Sequence, residues 1–207
     1  MSPRVTTFPI GPLETNCYLL DNGGRAVAVD PGGEPGPLTS FLDREKLALD
    51  AVLITHLHFD HIYGASALTS RTGTKAYAPP GDEYLMRTEL GRGGFMGLPQ
   101  VDEFDYEPIE EGEYEFAGLP CHVLSTPGHT TGSVSFHFPD AGCVFVGDLL
   151  FYRSIGRVDF PGGDLETLKD SVRRKIFTLP DETTVYAGHM IETTVGDEKN
   201  HNPYFQE

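Results

Sequence analysis

Four side chains able to bind a metal crowd into six residues, His56-x-His58-x-Asp60-His61. A short apolar run at 51–54 precedes them and reads as a buried strand, so the motif begins a loop at a strand end. Alternate residues His56 and His58 can face one side there, and Asp60 and His61 turn toward a neighbouring point. One ion does not easily take four donors from so short a segment, whereas two ions about 3.5–4 Å apart can share them. Imidazole with carboxylate suits zinc, and also iron or manganese. Buried without a metal, three imidazoles and a carboxylate this close would cost stability.

Three further donors share a local grammar of apolar strand, glycine, then ligand-type side chain. His129 lies in Pro127-Gly128-His129-Thr130, Asp148 follows Phe145-Val146-Gly147, and His189 follows Tyr186-Ala187-Gly188. Glycine lets the backbone turn sharply, so the next side chain projects from the rim of a sheet. His122, His137 and His201 lack that context and read as structural or exposed.

The elements that must position these residues follow from periodicity and turn chemistry. Strands are expected at 16–20 and 26–29 with a turn at Asn22-Gly23-Gly24, then a short helix at about 38–44. A helix is expected at about 62–72 and a strand at 75–78. Residues 79–100 read as irregular because of Gly91, Gly93, Gly94 and Gly97, with exposed-looking Met86, Leu90, Phe95, Met96 and Leu98. Residues 102–115 hold eight acidic side chains and read as a solvated loop and strand edge. Strands resume at 121–124, 133–138, 143–146 and 185–187. The clearest helix is 165–179, with apolar Leu165, Leu168, Val172, Ile176 and Leu179, Asp164 as N-cap and Pro180 beyond its end. Strands then helices, twice over, indicate an α/β sandwich in one domain spanning 1–207.

Composition limits the partners. A chain of 207 residues with 39% hydrophobic content can bury one real core. It contains no apolar run of about 18 residues for a membrane span, and its start lacks the apolar centre of a signal peptide. The cytoplasm is the expected location. Cys17, Cys121 and Cys143 are odd in number, form no C-x-x-C pair and sit in strand-like runs, so buried reduced thiols are expected. A net charge of -16 repels phosphate backbones and acidic membranes, which leaves a small-molecule substrate rather than nucleic acid or membrane.

The set Thr55-His56-x-His58-x-Asp60-His61, Pro127-Gly128-His129-Thr130-Thr131-Gly132-Ser133, Gly147-Asp148 and Gly188-His189 resembles the metallo-β-lactamase superfamily over nearly the whole chain. The segments Ser154-Ile155-Gly156-Arg157 to Asp164 and Thr193-Thr194-Val195-Gly196-Asp197, with Asn202-Pro203, are similar to short, single-domain bacterial members of the glyoxalase II group. The resemblance implies a four-layer αββα sandwich with the site at one edge of the two sheets. It also implies that His56, His58 and His129 hold a first divalent ion and Asp60, His61 and His189 a second, with Asp148 bridging them. Asp30 matches a position that buttresses the site, and Arg157 a basic substrate-contacting one.

The activity implied is thioester hydrolysis of the hydroxyacyl-glutathione type. A water between two dications ionises near neutral pH, and a thiolate leaves without a dedicated acid because its conjugate thiol has a pKa of about 8.5. Asp60 is the candidate proton acceptor. Full-length glyoxalase II enzymes carry a helical C-terminal domain with basic residues for glutathione. Nothing here corresponds to it, and Ile191 and Asp159 stand where those enzymes have tyrosines, so weak or different thioester specificity is expected. Alternatives are a persulfide dioxygenase using one iron on His56, His129 and Asp148, which the stretches 157–160 and 175–180 also resemble, and a lactone hydrolase. β-Lactamase, nuclease and non-enzymatic binding roles are disfavoured by the His61-type motif, the charge and the intact ligand set respectively.

Overall fold

The computed structural model of the protein describes residues 2–206. β1 (Arg4–Ile10), β2 (Thr15–Asn22) and β3 (Arg25–Val29) form an antiparallel meander. Asn22 pairs with Arg25, so Gly23 and Gly24 alone make the second turn, with φ of 61° and 99°. Two positive φ values match the strand twist, and glycine adopts them without penalty. α1 (Gly36–Glu45) crosses over to β4 (Ala48–Leu53), which runs parallel to β3. α2 (Phe59–Ile62) and α3 (Ala65–Thr72) lead to β5 (Ala76–Ala78). A 3-10 helix (Pro80–Arg87) and α4 (Glu89–Arg92) precede β6 (Tyr106–Pro108), which completes a six-stranded sheet ordered β1-β2-β3-β4-β5-β6.

The second sheet begins with β7 (Gly112–Phe116), β8 (Leu119–Ser125), β9 (Val134–Phe138) and β10 (Cys143–Gly147), all antiparallel neighbours. A small ribbon of β11 (Leu150–Phe151) and β12 (Ser154–Ile155) follows. α5 (Leu165–Ser171) then returns the chain to β13 (Thr184–Ala187), parallel to β10. β14 (Thr193–Thr194) and α6 (Val195–His201) close the sheet in the order β14-β13-β10-β9-β8-β7.

Alternation along these strands creates the layers. On β2, Leu19 faces the helices while Tyr18 and Leu20 face the other sheet; on β10, Val144 and Val146 face α5 while Phe145 faces inward. A strand covered on both sides reads as a continuous apolar run, which is why these strands stand out in the sequence. Three cores result: one between the first sheet and α1 to α3, one between the sheets, and one between the second sheet and α5. This is the expected αββα sandwich in a single domain. The three cysteines are free and buried.

The structure corrects several expected elements. The segment 79–100 is largely helical up to Arg92, not irregular. Its Gly91 packs directly on the backbone of Leu85 and Met86, where a Cβ would not fit, so it is a helix contact rather than a breaker. Met86, Leu90, Phe95 and Leu98 pack on the first core, and only Met96 of that group is exposed. The helix expected at 62–72 is split at Gly64, whose N–H donates to Pro31 O at 2.7 Å and whose Cα lies against the Gly33 carbonyl. The helix expected at 165–179 leaves α geometry after Ser171 for a π-helical turn, Val172–Ile176, with Phe177 N–H donating to Val172 O at 2.8 Å. Asp164 caps its start by accepting the Thr167 N–H at 2.8 Å. The acidic run divides between β6 and β7, an edge strand of each sheet, where charge deters strand addition.

Phe136 is fully buried between the sheets. Phe136→Ala is expected to lower unfolding stability by about 3–5 kcal/mol, read by urea denaturation.

Candidate metal centre

Beyond β4 the chain runs out past the carboxyl ends of parallel β3 and β4, where open α/β sheets leave a crevice. Leu57 is fully buried in the first core, and that anchors the loop and turns His56 and His58 the other way. Phe59 and Ile62 likewise bury one side of α2, which aims Asp60 and His61 at the same space.

The other donors reach that space from the second sheet. His129 sits in the loop between β8 and β9, Asp148 follows β10, and His189 follows β13. The glycines before them serve two different ends. Gly128 and Gly147 adopt φ of 130° and 54° and make the turn. Gly188 makes room: a Cβ there would collide with Asp148 Oδ1 and His61 Cε1.

All seven side chains converge. Ligand atoms of His56, His58 and His129 lie within 4.8 Å of one another, as do those of Asp60, His61 and His189, and those of His56, His61 and Asp148. His129 Nε2 and His58 Nδ1 approach to 2.9 Å. His189 Nε2 is 3.2 Å from Asp60 Oδ2. Asp148 Oδ2 is 3.7 Å from both His129 Nε2 and His189 Nε2, one from each triad, and Asp148 Oδ1 is 3.3 Å from His61 Nε2.

The imidazoles are held by their far nitrogens. Asp30 accepts the Thr55 N–H at 2.8 Å and the Thr55 Oγ1–H at 2.7 Å, and its Oδ2 accepts from His61 Nδ1 at 2.9 Å. Thr55 Oγ1 in turn accepts from His56 Nδ1 at 3.0 Å, and the Arg157 carbonyl accepts from His129 Nδ1 at 2.8 Å. Each bond turns the Nε2 of that ring into the site. His56 Nε2, His61 Nε2 and Asp148 Oδ1 are buried without any hydrogen-bond partner. Orphaned acceptors of this kind are costly in a protein interior, and the donor set of imidazole nitrogens and carboxylate oxygens fits divalent transition ions. The residues present therefore fit a pair of such ions.

Charge divides the imidazoles into two that stay neutral and two that the carboxylates hold charged. Burial, reinforced by the neighbouring imidazoles, holds His56 well below the ordinary range, and burial with His129 pushes His58 down to about 3. Burial would raise Asp60 and Asp148, but His61 outweighs it in both and keeps them ionised. Burial opposes charge on His61 too, yet Asp60, Asp148 and Asp30 together raise it. His189 is raised as well: burial opposes its charge, but its hydrogen bond to Asp60 and the charge of Asp148 outweigh that. Metals are ligated by neutral imidazoles and ionised carboxylates, so a cation bound here would displace the protons of His61 and His189.

Two supporting residues escaped the sequence reading. Asp82, fully buried, accepts from Thr130 Oγ1 at 2.7 Å, Gly132 N–H at 2.7 Å and Leu57 N–H at 3.3 Å, so it ties the His129 loop to the His56–His58 loop. Thr15 Oγ1 donates to Asp60 Oδ2 at 3.0 Å. Neither has a local signal, since Asp82 lies in a stretch whose glycines mimic a loop. Arg157 contributes through its carbonyl. Its guanidinium is paired with Asp159 at 2.8 and 2.7 Å and stacked on the Phe160 ring at 3.6 Å. His122 and His137 pair with each other across β8 and β9, away from the site, as expected.

A cavity of about 1080 Å³ opens over the cluster, with His58, Asp60, His129, Asp148 and His189 in its wall. Among the described residues no helix is long and apolar enough to cross a membrane.

The sequence profile of the metallo-beta-lactamase superfamily matches residues 10–189. The probable metallo-hydrolase YqgX of Bacillus subtilis is 36% identical over 200 residues, 95% of either chain. Hydroxyacylglutathione hydrolase GloC of Haemophilus influenzae is 36% identical over 206 residues, 97% of either chain. Among solved structures, BLEG-1 B3 metallo-beta-lactamase superposes with a TM-score of 0.91 at 35% identity, covering 99% of this chain and 100% of that one. TTHA1623, crystallised in a di-iron-bound form, gives 0.87 at 36%, covering 96% and 99%. ETHE1 from Myxococcus xanthus gives 0.75 at 33%, covering 98% and 84%.

Asp82→Ala is expected to weaken metal affinity by about 10- to 100-fold, the range for groups that orient ligands, in competition with a chromophoric chelator. Asp82→Asn keeps one acceptor and is expected to lose less.

Proposed function

The chain belongs to the metallo-beta-lactamase superfamily, and from that premise we propose that it is a metal-dependent hydrolase acting on a thioester of the hydroxyacyl-glutathione type or a related acyl substrate. The observation that carries the proposal is the pair of triads joined by Asp148, with ring nitrogens left unpartnered at its centre. His56, His58 and His129 would hold one divalent ion, Asp60, His61 and His189 the other, and Asp148 both. Zinc is the proposed metal, and the same donors accept iron or manganese. Bound there, the ions would acidify water toward neutral pH and polarise a carbonyl.

The chain's own residues supply orientation and proton handling. Asp30 and the Arg157 carbonyl keep three imidazoles aimed inward. The Asp60 carboxylate, steadied by Thr15, is the proposed acceptor for the proton that water gives up. Outside the His and Asp set, the described residues of the cavity wall include no Lys, Glu or Cys to protonate a leaving group, and Tyr204 lies out at the mouth. A thioester suits such a wall because its thiolate departs unaided, whereas an amide nitrogen needs a proton.

A persulfide dioxygenase is the second reading, favoured by the likeness to ETHE1. A single iron on His56, His129 and Asp148 would leave His58, Asp60, His61 and His189 without a ligand role, although the ligand atoms of the last three lie within 4.8 Å of one another. The hydrolase reading accounts for all seven.

Elemental analysis of the purified protein with an anaerobic thioester assay separates the two. About two metals per chain with oxygen-independent cleavage is the expected result. One iron per chain, no hydrolysis, and oxygen uptake with glutathione persulfide would overturn it. His58→Ala is expected to lose metal and to lower turnover by about a hundredfold or more; undiminished turnover in that variant would sink the proposal.

A further inference from the structure

The cavity over the cluster is apolar well beyond its polar floor. Phe95, Phe151 and Phe160 form part of its walls. Five of the seven large apolar side chains that the described residues expose lie on this one cavity: Leu13, Met96, Leu165, Met190 and Tyr204. Met96 is 93% exposed. Apolar exposure gathered at one mouth marks a binding surface, whereas scattered exposure does not.

The charges around the mouth point the same way. Arg157 is the one Lys or Arg side chain in the cavity wall, and both arms of its guanidinium are engaged by Asp159. Asp159 is held down at about 2, chiefly by that hydrogen bond, so it stays ionised beside Arg157. A glutathione moiety carries two carboxylates, and carboxylates are recognised by free cationic forks. Here a carboxylate would meet an occupied arginine on a chain of net charge -16.

We infer that the cavity selects thioesters with an extended apolar acyl group and an uncharged thiol portion, and discriminates against glutathione thioesters. The inference rests on the hydrolase proposal for its chemistry. The acyl chain lies along the aromatic wall with its carbonyl at the His and Asp floor. Its volume is that of a site for a drug-sized ligand, ample for a medium-length chain. In the reaction the C–S bond breaks as the oxygen of water forms the new C–O bond. The sulfur leaves with the electron pair as thiolate; one proton of the water passes by way of Asp60 to the thiolate, giving the thiol, and the second stays on the new carboxyl group until it ionises to solvent, leaving carboxylate.

Two comparisons on the metal-loaded protein test it. The non-hydrolysable thioethers S-octyl-N-acetylcysteamine and S-octylglutathione differ only in their thiol portion. Calorimetry is expected to find the neutral one bound about tenfold more tightly or better, the value of one lost charge-assisted bond. In the thioester assay, S-octanoyl-N-acetylcysteamine is expected to exceed S-lactoylglutathione in kcat/KM. Asp159→Asn, which releases Arg157, should narrow both gaps by about tenfold. Equal or tighter binding of S-octylglutathione, or faster cleavage of S-lactoylglutathione, overturns the inference and leaves the hydrolase proposal standing. Thioether binding in the expected order without cleavage of any thioester overturns the hydrolase proposal and leaves the selectivity standing. A dimer in sedimentation that Met96→Glu breaks, with the binding order unchanged by that variant, assigns the apolar rim to a second copy and overturns the inference.

Discussion

Asp30 is the joint on which the site depends. It sits at the end of β3 with φ of 50°, a left-handed conformation that Asp tolerates better than most residues but that still costs energy. From there one carboxylate grips the backbone and hydroxyl of Thr55 and the ring of His61, and through Thr55 it orients His56. Those contacts fix the orientation of two imidazoles and point both inner nitrogens into the site. The remaining structure presents further donors to the same point. β8, β10 and β13 end there from the opposite sheet, and Asp82 locks the loop after β8 to the loop after β4. The sandwich thus brings together donors from both sheets, and a fixed geometry is what holds ligands productively.

The floor and walls of the cavity have opposite character for one physical reason. Charged and ligating atoms are affordable in a low-dielectric setting only where each is matched, so they are confined to the small volume in which they can share counter-charge. Around them the aromatic and aliphatic wall keeps bulk water away and strengthens the local electrostatics. The excess negative charge of the protein is spread over its edges, including β6 and β7, and Arg157 is neutralised locally by Asp159.

The C-terminal segment has a structural role. Glu198 is fully buried and accepts from the Arg153 N–H and guanidinium, from Thr193 Oγ1 and from Asn202 Nδ2. Asn202 Nδ2 also donates to Ser154 O, at 2.9 Å. This satisfied polar network clasps α6 to the β11–β12 ribbon, and Tyr204 reaches the cavity mouth just beyond it. The segment acts on the site through position, by holding one wall in place.

Much of this was legible in the chain. His56, His58, Asp60 and His61 announced themselves because four donors in six residues have no ordinary structural use. The strand, glycine, donor pattern located His129, Asp148 and His189, although Gly188 turned out to provide room rather than a turn. The doubly buried strands and the Asp164-capped helix were readable because two-sided burial and capping leave local patterns. Only the tertiary structure decided that Asp148 stands between the triads, that Asp82 and Thr15 support them, that 80–92 is helical, and that Arg157 is already paired. Each of those facts is a contact between residues distant in sequence, or a fit of one backbone against another. Periodicity and motif spacing record what a residue does to its near neighbours; they carry no information about which far segment folding will bring against it.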